Sequence, residues 1–181
     1  QVESSGLRYL SLRAGRVFSL DDGIRIEILA PTTSLLRGTR SDLNSNSVVA
    51  RLTHGDNCFL FTGDAEEPTE QFHIEAGVGP CNVLKVAHHG SEHSTTAAWL
   101  AAVQPTLALI SCGANNRYGH PAPRTLERLR AAGAEVHRTD REGTLKVTSD
   151  GRRVSFETVD ESVSQEPMVL ASVITPEATP V

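Results

Sequence analysis

The chain has 181 residues, of which 39% are hydrophobic and 22% are charged, a composition typical of one globular domain with an apolar core. Its formal net charge of −5 excludes nucleic-acid binding through a broad basic field and leaves only local contacts with phosphates. No segment approaches the roughly 18 consecutive apolar residues of a membrane-spanning helix, and the start lacks the regions of a signal peptide. We therefore expect a soluble chain, and a start at Gln1 suggests a piece of a longer protein.

The amino-terminal part of the sequence predicts two pairs of β-strands. Residues 17–20 and 24–29 flank the turn residues 21–23, and apolar and polar residues alternate in the second strand, which is the pattern of a β-hairpin. A second pair is predicted at residues 47–53 and 58–62, on either side of a short polar turn. The two pairs together predict the beginning of a β-sheet.

Strands and helices alternate in most of the remaining sequence, which predicts an α/β fold. The predicted strands are 83–87, 107–112, 135–139, 144–148 and 153–157, and the predicted helices are 66–76, 96–103 and 123–132. Periodicity is lost near the end of the chain, where Ser, Thr, Glu and Pro mix with isolated apolar residues. We therefore predict a folded domain at residues 1–158 and a flexible tail at residues 159–181.

The three cysteines, Cys58, Cys81 and Cys112, are an odd number and lie far apart in the sequence. None of them has the Cys-x-x-Cys spacing of a zinc knuckle or of a redox motif. We therefore expect three buried, reduced thiols.

The most informative segment is VLKVAHHGS at residues 83–91, where an apolar strand runs directly into two histidines and a glycine. The end of a strand is a rigid place from which to present an imidazole, and neutral imidazole suits zinc and manganese. A structural role is the alternative for such a pair, because one ring can form a hydrogen bond in the core while the other is solvated.

Two further apolar strands end in polar residues. FLFTGD at residues 59–64 ends in Asp64, and LALISCG at residues 107–113 leads into a loop that contains His120. Taken singly, Asp64 is a good helix N-cap and His120 a turn residue before proline. Sites in layered α/β proteins collect at strand ends, so the three segments together favour a functional site.

These motifs resemble a known family. Four segments carry the resemblance in the same order: NSNSVV at 44–49, LFTGDAE at 60–66, LKVAHHGS at 84–91 and NRYGHP at 116–121. They are similar to the metallo-β-lactamase-like domain of the ComEC competence proteins, and the likeness extends over residues 15–157.

The resemblance implies an αββα sandwich of which this chain holds the C-terminal half, with a two-metal site for Zn²⁺ or Mn²⁺. It implies hydrolysis of a phosphodiester, DNA above all, by a domain that belongs to an extracytoplasmic part of a membrane channel protein. By analogy Asp64 bridges two metals, and either His88 or His89 is a metal ligand while the other is a polar or acid/base group. His120 is then a further ligand or a group that contacts substrate.

The sequence departs from the family in one important respect. Complete members carry an upstream loop, His-x-(His/Asp)-x-Asp-His, that supplies most metal ligands, and none of the seven histidines of this chain lies in such a loop. A site made only of Asp64, His88, His89 and His120 is therefore expected to be incomplete. The missing N-terminal half lies elsewhere on the same gene, comes from another polypeptide, or is absent from an inactive protein.

Two other functions are compatible with the sequence. The first is a non-catalytic module, a truncated sandwich that binds or supports another part of a protein. The second is a zinc protease, because residues 89–93 match the motif H-x-x-E-H. That motif requires a helix through all five residues, and Gly90-Ser91 directly after a strand disfavours one.

Overall fold

A seven-stranded mixed sheet forms the centre of the computed structural model, which describes residues 10–159. Its strands are β1 (Val17–Ser19), β2 (Ile24–Ala30), β3 (Val49–His54), β4 (Asn57–Phe61), β5 (Val83–Lys85), β6 (Leu107–Ile110) and β7 (Glu135–Arg138). They lie in chain order across the sheet. Neighbours from β1 to β4 are antiparallel and neighbours from β4 to β7 are parallel. The carboxyl ends of β4, β5 and β6 therefore meet at one edge, as the strand-end pattern predicted.

Three main helices pack against one face of this sheet. The helices of the described chain are α1 (Asp42–Ser45), α2 (Glu67–Glu75), α3 (Ala97–Val103), α4 (Pro123–Ala131) and α5 (Thr139–Glu142). The core joins Trp99 and Leu100 of α3 and Leu129 of α4 to Leu60 and Leu84 of the sheet. All five are at most 2% exposed, so this face is closed to solvent. None of the helices within residues 10–159 is long and apolar enough to cross a membrane.

A separate hairpin, β8 (Thr144–Ser149) with β9 (Val154–Val159), lies over part of the other face. The imidazole of His137 on β7 packs on the ring of Phe156, with 3.8 Å between ring centroids. Asn57 Nδ2 donates to Ser149 Oγ over 2.9 Å and fixes the hairpin to the start of β4. Helices therefore cover one face of the sheet, and the hairpin covers only part of the other face.

The expected elements are present, with boundaries that differ by a few residues, and the mixed α/β class is confirmed. Two four-residue helices, α1 and α5, were not predicted, because such short elements carry no periodic pattern. The predicted tail at residues 159–181 lies almost wholly outside the described residues.

The expectation of three reduced cysteines is wrong. Cys58 and Cys81 form a disulfide, and Cys112 is free. The parallel pairing of β4 with β5 places residue 58 beside the segment that enters β5, where the two Cα atoms are 4.9 Å apart. This proximity depends on tertiary structure and leaves no signal in the spacing of the cysteines.

Candidate functional site

The candidate site is the carboxyl edge of the sheet, where the loops after β4, β5 and β6 meet. These loops carry Asp64, the pair His88 and His89, and His120. The rings of His88 and His120 have centroids 5.6 Å apart, and those of His88 and His89 are 6.3 Å apart. The structure therefore brings all four residues singled out from the sequence into one cluster.

The histidine pair lies in an unusual backbone conformation. His88 has φ 47° and His89 has φ 55°, both in the left-handed region that non-glycine residues rarely adopt. Such strain persists where surrounding contacts enforce it, and it concentrates at functional sites. Here the amide of His88 donates to the carbonyl of Gly63 over 3.0 Å, which joins the histidine loop to the residue preceding Asp64.

The orientation of His89 follows from one hydrogen bond. Its Nδ1 lies 2.7 Å from the carbonyl oxygen of Ser111, which can only accept, so Nδ1 carries the proton of the neutral ring. Its Nε2 therefore offers a lone pair, and it lies 3.7 Å from Oδ1 of Asp64. The side chains of His89 and Asp64 are 49% and 43% exposed, so an ion from solvent can reach both.

A buried carboxylate, that of Glu66, lies next to His88 on the protein side of the cluster. Glu66 is 1% exposed, and its Oε1 accepts from Asn44 Nδ2 over 3.1 Å and pairs with the guanidinium of Arg40. The same oxygen lies 3.4 Å from Nδ1 of His88, without the geometry of a hydrogen bond. Sequence reasoning did not assign Glu66 to the site, although it follows Asp64 closely in the TGDAE segment.

The loop that carries His120 is held by Asn116. The side chain of Asn116 accepts from the amide of His120 over 2.9 Å and donates to its carbonyl over 2.7 Å. Burial, followed by the charges of His88 and His89, lowers the pKa of His120. This favours the neutral ring, which is the form that binds a metal.

The donors at this edge have the chemistry of a transition-metal site. His89 Nε2 and Asp64 Oδ1 lie 3.7 Å apart, and imidazole nitrogen and carboxylate oxygen are both ligand types of Zn²⁺. The Nδ1 atoms of His88 and His120 are buried and have no hydrogen-bond partner among the described residues. Within residues 10–159, no three His, Cys, Asp or Glu side chains are arranged to hold a metal ion by themselves.

The alternative protease motif at residues 89–93 lacks its helix. A 3₁₀ turn covers Ala87–Gly90, and α3 begins only at Ala97. The protease mechanism requires the rings of His89 and His93 to share one face of a helix, and here they do not.

The chain is therefore a mixed α/β protein with histidine and carboxylate side chains at the ends of its strands. Comparison with known proteins gives the family. The chain is 31% identical over 157 residues to ComE operon protein 3 of Bacillus subtilis, with 86% of the chain covered. It is 38% identical over 125 residues to Recombination protein 2 of Haemophilus influenzae. It is 35% identical over 127 residues to Competence protein ComA of Neisseria gonorrhoeae, and each of these two alignments covers 69% of this chain. Over these residues the chain is homologous to part of the ComEC family, which confirms the resemblance seen in the motifs.

These relatives are much longer than this chain. The aligned region spans 20% of the Bacillus protein, 15% of the Haemophilus protein and 18% of the Neisseria protein. No protein-family model matches the chain. The relationship therefore concerns one segment of each relative.

Proposed function

We propose that this chain is part of a metal-dependent phosphodiesterase or nuclease that acts on DNA in a competence context. The observation that carries the proposal is the convergence of Asp64, His88, His89 and His120 at the edge where β4, β5 and β6 end. One relative is the Competence protein ComA of Neisseria gonorrhoeae, and this similarity supports the context. The fold proposed for the complete domain is the metallo-β-lactamase-like αββα sandwich.

Each proposed ligand is oriented by another group of this chain. Ser111 holds the ring of His89 through Nδ1, so that Nε2 stays available for Zn²⁺ or Mn²⁺. Ser47 Oγ accepts from the amide of Asp64 over 3.1 Å and fixes the start of the loop that carries its carboxylate. When bound, a pair of cations supplies a hydroxide nucleophile and neutralises charge on the phosphate.

We propose that the remaining ligands lie outside the described residues. In this proposal they belong to an N-terminal half of the sandwich, which a longer form of the protein or a partner polypeptide supplies. If the protein acts only as a binding or structural module, that half will add no hydrolytic activity.

The test uses the full-length protein with Mn²⁺ or Zn²⁺ and two substrates, linear DNA and bis-p-nitrophenyl phosphate. We expect EDTA-sensitive hydrolysis that Asp64→Asn abolishes, because the change is nearly isosteric and removes only the negative charge with which Asp64 would hold a metal. Asp56→Asn is the matched control, since Asp56 lies in the turn at the opposite end of β4. Activity that survives Asp64→Asn, or a folded and metal-loaded protein without activity, refutes the proposal.

The disulfide supports an extracytoplasmic location for this segment, because disulfides persist in oxidising compartments and are rare in the cytosol. We expect thiol alkylation of intact cells, followed by denaturation, to modify Cys112 and to spare Cys58 and Cys81. Modification of all three cysteines would place the segment in a reducing compartment.

A further inference from the structure

Glu66 is a buried carboxylate beside the proposed metal ligands that has no part in the proposed chemistry. It is the residue before α2, yet its side chain makes no capping hydrogen bond to that helix. The side chain turns instead towards Arg40, Asn44 and His88. The helix that follows Glu66 therefore does not account for its carboxylate, whose negative charge lies against the histidine pair.

Glu66 is poorly placed to bind a metal itself. Its side chain is 2% exposed, whereas that of Asp64 is 43% exposed. Its Oε1 already accepts from Asn44 and pairs with Arg40, whose charge balances that of the carboxylate. An effect of Glu66 on the site therefore passes through His88, the member of the cluster that this oxygen faces.

The position of the proton on the neutral His88 ring is the property that Glu66 can control. Oε1 of Glu66 lies 3.4 Å from Nδ1 of His88, and Nδ1 is buried with no hydrogen-bond partner within residues 10–159. A carboxylate oxygen can only accept, so a bare Nδ1 would set two lone pairs against each other, whereas an Nδ1–H is attracted to the negative charge. The low dielectric of a buried site strengthens this preference. A neutral imidazole carries one ring proton, so Nε2 of His88 is left with a lone pair.

The neighbouring His89 has a matching arrangement. Its Nδ1 faces the carbonyl oxygen of Ser111, and its Nε2 faces Asp64. The side chain of His88 is 20% exposed, and the exposed part excludes Nδ1. Histidines that bind metals almost always donate their other ring N–H to a carboxylate, a backbone carbonyl or water, which fixes the tautomer and the orientation of the ring. A carbonyl group serves His89 in this way, and the carboxylate of Glu66 is placed to serve His88.

We propose that Glu66 is the positioning residue of His88: its carboxylate keeps the proton of the neutral ring on Nδ1 and leaves Nε2 as the atom with which His88 binds a divalent cation. The inference rests on the metal-dependent function proposed above and adds a residue to it. It also explains the contact of Glu66 with Arg40, because the guanidinium balances a charge that would otherwise be buried alone beside the ring.

The tautomer of His88 can be measured without any metal. Long-range ¹H–¹⁵N spectra of the 181-residue chain, labelled with ¹⁵N-histidine and kept in EDTA, distinguish a protonated ring nitrogen from a bare one. The variant His88→Gln identifies the signals of His88 among those of the seven histidines. At about pH 8.5, where imidazoles are neutral, we expect wild-type His88 to carry its proton on Nδ1. A wild-type ring protonated on Nε2 overturns the inference, whatever the variants show.

Glu66→Gln tests the role of the charge. The substitution keeps the size of the side chain and an oxygen for Asn44, but it removes the negative charge that faces Nδ1. We therefore expect the Nε2–H form of His88 to become populated. Arg40→Gln is the matched control, because it breaks the same ion pair but leaves the carboxylate beside His88. We expect it to leave the tautomer unchanged, and an equal change in both variants would mean that a loosened structure, and not the charge, sets the tautomer.

Metal affinity provides the second readout. Loss of a group that orients a metal-binding histidine weakens metal affinity on the order of 10- to 100-fold. We expect calorimetry of the full-length protein with Zn²⁺ to show a loss of this size for Glu66→Gln and little change for Arg40→Gln. Wild-type affinity in Glu66→Gln would contradict a positioning role.

The outcomes separate this inference from the proposed function. An unaltered tautomer in Glu66→Gln overturns the role of Glu66, and hydrolysis by the full-length protein that Asp64→Asn abolishes would leave the phosphodiesterase intact. An Nδ1–H tautomer that Glu66→Gln shifts, together with Zn²⁺ binding but no hydrolysis, upholds the positioning role and refutes the phosphodiesterase.

Discussion

At the scale of single residues, Gly90 holds two loops of the candidate site together. It has φ +83°, and a Cβ placed on it would lie 2.5 Å from the Cβ of Pro121, the residue after His120. We expect Gly90→Ala to lower the free energy of unfolding by about 2 kcal/mol, through left-handed strain and overpacking. Urea unfolding measures this quantity.

The control for this substitution is Gly113→Ala in the neighbouring loop. A Cβ at Gly113 meets no atom within 4 Å, and its φ is not in the left-handed region. We expect its effect to stay within about 0.5 kcal/mol. Equal effects of the two substitutions would mean that the contact between Gly90 and Pro121 does not matter for stability.

His137 gives the domain a pH-dependent contribution to stability. Burial lowers the pKa of His137, but hydrogen bonds and ion pairs with Glu142 and Glu135 outweigh burial and raise it above the usual 6.5. A histidine whose folded-state pKa is raised stabilises the fold fully below its unfolded pKa, and this stabilisation is lost as the pH rises through the folded-state pKa. We therefore expect His137→Gln to destabilise the domain more at about pH 6 than at about pH 8.5.

Urea unfolding of both proteins at the two pH values checks the sign. Glu142→Gln should reduce the pH dependence as well, because it removes the partner that lies 2.6 Å from Nδ1 of His137. A destabilisation by His137→Gln that is the same at both pH values would assign the role of this ring to its packing on Phe156 alone.

Residue types at strand ends were sufficient to predict which side chains converge. Asp64, His88, His89 and His120 each follow an apolar strand, and parallel strands of one sheet bring such residues to one edge. The pattern did not indicate Glu66, because its burial beneath His88 depends on the path of the chain between β4 and α2. The left-handed backbone of His88 and His89 was also invisible, since neither residue is a glycine.

At the scale of elements, the disulfide between Cys58 and Cys81 closes the segment that carries β4, Asp64 and α2. The two cysteines are 23 residues apart. A crosslink over a loop of that length stabilises a fold by about 3 kcal/mol, chiefly by restricting the unfolded chain. We expect reduction, or the double substitution Cys58→Ser and Cys81→Ser, to lower the free energy of unfolding by about that amount.

Denaturant unfolding in the presence and absence of a reducing agent measures this difference. Cys112→Ser is the control, because this thiol is free and only donates to Asp140 over 3.2 Å. It should cost less than about 1.5 kcal/mol. Equal stability of the oxidised and reduced chains would contradict the structural role of the disulfide.

The order of elements could be predicted from the sequence, because the strands are short apolar or alternating runs that turn residues and polar segments separate. The disulfide and the packing of the β8–β9 hairpin over the sheet could not. They depend on contacts between distant segments, such as that of Asn57 with Ser149, which no local pattern records.

At the scale of the whole molecule, the two faces of the sheet are unequal. Leu60, Leu84 and Ala108 point to the helices and are fully buried, whereas Phe61, on the other face at the edge of the site, is 45% exposed. Phe59, Leu52 and Leu109 on that face line a cleft of about 420 Å³ with the hairpin. An apolar sheet face of this kind is consistent with the second β-layer that the proposed sandwich requires.

The last prediction concerns metal binding by the 181-residue chain. A two-metal site would need enough protein donors in this chain to hold both cations. Asp64, His88, His89 and His120 offer at most one carboxylate and three imidazoles, which do not provide the donors for two closed sites. We therefore expect calorimetry to show weak binding of Zn²⁺ or Mn²⁺, with no hydrolysis of DNA or of bis-p-nitrophenyl phosphate.

We expect the full-length protein to bind two metals and to cleave both substrates until EDTA is added, and His88→Ala, His89→Ala and His120→Ala to weaken that cleavage. Tight uptake of two metals by the 181-residue chain alone, or EDTA-sensitive cleavage by it, would show that the site needs no further ligands.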